Sequence, residues 1–66
     1  MRFDKIEVSE HYRINHDTYC WLKITEKLPK FKTRNGIHNC VKGIWSQDKN
    51  SSFGMVKVFK ASEVTK

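Results

Sequence analysis

Apolar residues in this chain recur at every second position, and that period decides what it can fold into. Cys20, Leu22 and Ile24 alternate with Tyr19, Trp21 and Lys23. His38, Cys40, Lys42 and Ile44 alternate with Ile37, Val41 and Trp45, and Val56 and Val58 alternate with Met55, Lys57 and Phe59. Tyr12 and Ile14 repeat the pattern beside Arg13 and Asn15. Successive side chains of a strand point to opposite faces, so such runs predict half-buried strands. No window carries the 3.6-residue apolar stripe of a helix. Composition agrees: Ile, Val and Thr number fourteen and the aromatics eight, against five Ala, Leu and Met together. Branched and aromatic side chains suit a pleated surface. Leu22, Ile24 and Val58 are expected to point inward; alternation then turns Tyr19 and Trp21 outward, the alternative being that Trp21 and Trp45 close the ends of the barrel.

Turn residues separate the runs. His16-Asp17-Thr18 is a polar break suited to a tight hairpin, and Leu28-Pro29 is expected to end the second strand because proline cannot donate into a ladder. Asn35-Gly36 predicts a further turn, since both residues tolerate positive φ. Residues 47–52 read as a polar loop, and Ala61-Ser62-Glu63-Val64 as one helical turn. Strands are thus predicted at 2–8, 11–16, 19–26, 37–45 and 53–60. At 66 residues the chain is expected to form a single domain, 1–66, because two would leave neither a core. The predicted class is all-β: a small five-stranded barrel or a strongly bent antiparallel sheet, with a short C-terminal helical turn.

The closing stretch Gly54-Met55-Val56-Lys57-Val58-Phe59-Lys60-Ala61-Ser62-Glu63-Val64 resembles the last strand and terminal turn of small SH3-like barrels. These include the KOW- and Tudor-like barrels of nucleic-acid-associated proteins and small bacteriophage proteins. The resemblance implies an SH3-like β-barrel.

Charge carries the functional signal. The chain holds 13 Lys+Arg against 7 Asp+Glu, a formal net charge of +6. The excess is one-sided: residues 27–66 have nine basic residues against Asp48 and Glu63, while acids outnumber bases by one in residues 1–26. Within 27–36, Lys27, Lys30, Lys32 and Arg34 occur with no acid. An extended backbone would set Lys30 and Lys32 on one side of Phe31, where the ammonium groups meet phosphates and the ring meets a sugar or base. Arg34 adds a bidentate donor. Lys42 and Lys57 extend the basic set, and Trp21 and Trp45 are candidate aromatic contacts. The reading that follows is a nucleic-acid-binding module, DNA more than RNA, held by phosphate charge without base readout. The alternative is a small bacteriophage-type inhibitor docking an acidic surface of a host protein.

Other classes find little support. No phosphate-binding glycine loop, nucleophile elbow or zinc-protease signature occurs, and no carboxylates pair at i, i+2, so catalysis is not expected. His16 and Cys20, with His38 and Cys40, match only half of a structural zinc spacing. Both cysteines read as reduced packing residues, and no cofactor or metal is expected. The longest apolar run, Tyr19-Cys20-Trp21-Leu22, is too short to span a bilayer. Met1-Arg2-Phe3-Asp4-Lys5 has no apolar signal core, which predicts a cytoplasmic protein.

Overall fold

The computed structural model describes residues 1–50 and 53–66. The chain is all-β, with five antiparallel strands in one sheet: β1 His11–Ile14, β2 Asp17–Thr33, β3 Gly36–Ser46, β4 Met55–Lys60 and β5 Val64–Thr65, ordered β4-β3-β2-β1-β5. Among the described residues, two short 3-10 turns, Phe3–Lys5 and Ala61–Glu63, complete the regular structure. The terminal helical turn is therefore present, tightened to three residues.

The strand expected at 2–8 does not form. β1 is flanked instead by the two-residue β5, which pairs Arg13 with Thr65 and Ile14 with Val64. The N-terminal segment packs across the sheet instead. The Met1 ammonium donates to the Val64 carbonyl at 2.6 Å, the Glu7 N–H donates to the Tyr12 hydroxyl at 2.9 Å, and Ile6 is buried.

Pro29 does not end β2 either. The strand continues to Thr33 through a register shift between Leu28 and Phe31 against β3. Such an irregularity tolerates proline, because the ladder asks no N–H of it there. The turns also move by a residue or so. Asn15 and His16 form the first corner, leaving Asp17 and Thr18 in β2, and Arg34 and Asn35 form the second. Gly36 opens β3 with φ 117°, a conformation that favours glycine. The polar loop after β3 is seen at 47–50, and Ser51 and Ser52 lie outside the described residues.

Ile6, Tyr12, Ile14, Leu22, Ile24, Val41, Ala61 and Val64 form the core, with Trp45 and Phe59 packed at its margin. β4 turns inward the face opposite to the one expected from Val58. Phe59 lies opposite the buried Val41 in register, so Val56 and Val58 fall on the other face and are exposed. Ile24→Ala is accordingly expected to cost about 2–4 kcal/mol through the cavity it leaves. Val58→Ala should stay within about 0.5 kcal/mol, as surface changes do. Urea denaturation of both variants checks the assignment, and equal losses would contradict it.

Candidate nucleic-acid interface

The long β2 and β3 strands divide into two zones. Near their middle they are flanked by β1 and β4. Beyond Leu28 and Cys40 the pairs Phe31–His38, Lys32–Ile37 and Thr33–Gly36 involve only these two strands, because pairing with β4 stops at Cys40–Lys60. This two-stranded ribbon carries Lys30, Phe31, Lys32 and Arg34, all exposed. Its corner is braced from within: the Thr33 hydroxyl donates to the Gly36 carbonyl at 2.9 Å and accepts from the Asn35 N–H at 3.2 Å.

Strict alternation does not carry through the ribbon. Lys30 has φ 51°, in the left-handed region, and its N–H donates to the Asn39 side-chain oxygen at 3.0 Å. The regular pleat that would set Lys30 and Lys32 on one side of Phe31 is therefore interrupted at Lys30. What remains is three exposed cations within five residues, beside a ring that is 39% exposed.

The other predicted contacts are dispersed. The Lys27 ammonium lies 4.5 Å from the centroid of the Phe3 ring, a cation–π contact within the chain. Lys42 and Lys57 sit in adjacent rungs of the β3–β4 ladder, opposite Val58 and Gly43, and so on opposite faces. Lys42 is also in register with Glu26 on β2. Trp45 stacks at a tilt on Phe59, with centroids 5.3 Å apart, and closes the margin of the core. Trp21 is half-buried and pairs in register with Ser46, at the opposite end of β2 from the ribbon.

Between the ribbon corner and the end of β4 lies a cleft of about 160 Å³, lined by Arg34, Cys40, Lys60 and Glu63 among others. Glu63 supplies a carboxylate to this cleft. Cys40 is buried and Cys20 half-buried, and both are free thiols. Burial pushes the Cys40 thiol up from its ordinary value, Glu63 adds to the shift, and Lys60 offsets part of it. A thiol raised in the fold stabilises it below the ordinary thiol range of about 8.5 and loses that contribution as pH climbs through the folded value. Alkylation near pH 8 should therefore modify Cys20 well before Cys40, as peptide mapping would show. Faster labelling of Cys40 would contradict its burial.

Among the described residues no group of three or more His, Cys, Asp or Glu side chains could hold a metal ion. No helix among them is long and apolar enough to cross a membrane. No protein-family model, curated protein or solved structure matches the chain.

Residue types alone did not reveal a second basic cluster. His11, Arg13, Lys23 and Lys49 gather around Trp21, drawn from β1, β2 and the loop after β3. Lys23 is legible as a neighbour of Trp21 in sequence. Arg13 and Lys49 reach it only through the register of the sheet and the path of the loop.

Proposed function

We propose that this chain is a non-enzymatic, cytoplasmic nucleic-acid-binding module of the SH3-like barrel type, gripping duplex DNA by its backbone without reading sequence. One observation carries the reading: the acid-free stretch 27–36 supplies the β2 strand and the corner of a two-stranded ribbon with Lys30, Lys32 and Arg34 exposed on it. The major groove of B-DNA admits a two-stranded β-ribbon, and exposed cations along it meet phosphates on the groove walls. Lysines outnumber arginines ten to three, and lysine is a point charge suited to phosphate more than to a base edge. The path of the chain favours the barrel type. A meander of four strands is followed by a 3-10 turn, and a last short strand returns to β1.

The protein-binding reading retains one specific support. Met55, Val56 and Val58 are exposed on β4, an edge strand, where a host protein could add apolar contacts to an electrostatic docking.

Titration of labelled random-sequence duplexes across a range of salt separates the two. Backbone binding predicts equal affinity for unrelated sequences. It also predicts that log K falls against log salt with a slope of about −2.7 for three phosphate contacts. A flat salt dependence would rule it out.

A further inference from the structure

Trp21 marks a second site, at the other end of β2 from the ribbon. Sheet register builds it. His11 on β1, Lys23 on β2 and Ile44 on β3 form one cross-strand row, and Trp21 with Ser46 forms the next. These rows share a face of the sheet, since side chains two residues apart on a strand point the same way. Together with Lys49 they line a groove of about 200 Å³.

Two cations already lie against the indole. The Arg13 guanidinium lies 4.2 Å from the Trp21 ring centroid, and the Lys49 ammonium lies 4.8 Å from it. Arg13 is held in place by a 2.9 Å hydrogen bond to the Thr18 carbonyl. Lys49 is carried by a turn in which the Ser46 hydroxyl donates to the Asp48 carbonyl at 2.9 Å. The Asp48 carboxylate faces the Asn50 N–H, also at 2.9 Å. Among the described residues, no carboxylate lines the groove.

These features select a ligand class. A cationic ligand is disfavoured, because the ring's negative face already serves two cations and the walls add Lys23. A purely apolar ligand would leave those charges unused. The complementary ligand is an anion with a flat π-face. The volume is below the roughly 300–1,000 Å³ that encloses a drug-sized molecule, so it takes one ring system and leaves the rest of the ligand in the open.

We infer that this groove binds a single unstacked nucleotide, its base against Trp21 and its phosphate at Lys23 and Lys49, the two cations that line it. The lysine ammonium is the mobile partner: it yields the ring face to the base and turns to the phosphate, while Arg13 stays anchored. The nucleotide has two possible sources, a free nucleoside monophosphate or one residue of a single strand, and the site is independent of the ribbon.

The test is anisotropy of a labelled oligothymidylate, with adenosine 5′-monophosphate and inorganic phosphate as competitors. Trp21→Ala should weaken binding about 5- to 150-fold, the range of a lost base–aromatic stack, and Trp21→Phe should restore most of it. Lys49→Glu, on an exposed loop where folding is not at stake, should weaken binding and change the salt slope by at least about 0.7. The monophosphate should compete where the same concentration of inorganic phosphate does not. Competition at concentrations of monophosphate comparable to those of the oligonucleotide identifies the free nucleotide as the ligand, and a much weaker effect identifies the strand. The protein with Lys30, Lys32 and Arg34 all changed to Ala should keep this binding, whether or not the wild type binds duplex. Three results would overturn the site: wild-type affinity in both Trp21→Ala and Lys49→Glu, competition by phosphate equal to that of the nucleotide, or loss of oligonucleotide binding in the ribbon variant.

Discussion

Gly43→Ala is expected to unfold a large fraction of the protein, although it adds only one methyl group. Gly43 lies opposite Ile24 in the centre of the sheet, where β2 bends through the register shift that follows Ile24. A Cβ at this position would run into the Lys23 carbonyl and stand 3.0 Å from Leu22 Cδ1. The carbonyl is backbone and cannot rotate away, so the two strands must separate. Overpacking a core costs about 1–3 kcal/mol where side chains can yield, and more where they cannot. We expect at least about 3 kcal/mol, a large share of the 5–15 kcal/mol that holds ordinary domains together. Gly36→Ala is the control. It has open space, with the nearest heavy atom 3.9 Å away at His38 Nε2, and bears only the strain of φ 117°, about 1–3 kcal/mol. Urea midpoints should order wild type, Gly36→Ala, then Gly43→Ala. Wild-type stability in Gly43→Ala would show that β2 and β3 do not approach this closely.

Changing Lys30, Lys32 and Arg34 together to Ala should abolish most of the salt dependence of duplex binding. Each phosphate contact releases counterions worth about 0.9 in the slope of log K against log salt, so three account for about 2.7. Between ~50 and ~200 mM salt that share alone weakens the wild type by about 40-fold, and the triple variant should lack it. The loss should be the same on unrelated duplexes, because phosphates carry no sequence information. All three residues are exposed, so the melting temperature should hardly change. Phe31→Ala should leave the slope intact, since a ring releases no ions. A strong loss there with an unchanged slope would instead indicate stacking and a preference for single strands. If the triple variant binds duplex as the wild type does at ~0.15 M salt, the ribbon is a solvated surface and the duplex reading fails.

Local pattern and long-range pairing contributed differently to what was legible. The class followed from period: Leu22 and Ile24 are fully buried, and Tyr19, an odd three residues before Leu22 and so on the other face, is 81% exposed, as alternation requires. The ribbon's charge was visible too, because its three basic residues are neighbours in the chain. Faces failed where the local signal was symmetrical. On β4 both sides are apolar, Val56 and Val58 on one and Met55 and Phe59 on the other, so only pairing with Val41 could say that Phe59 turns inward.

Sequence by itself determined the strand-forming character of the chain and the gathering of positive charge in 27–36. Each of these depends on residue types within a short window, and short windows fix alternation and local charge. Tertiary structure decided the rest. It set β5 beside β1, left the N-terminal segment without the strand expected of it, carried β2 past Pro29, and placed Arg13 and Lys49 around Trp21. The physical reason is that these are competitions between distant segments for one partner. A two-residue strand carries almost no propensity of its own, yet Val64 wins because its side chain is fully buried when it pairs with Ile14. A register shift moves a side chain to the opposite face without changing a residue.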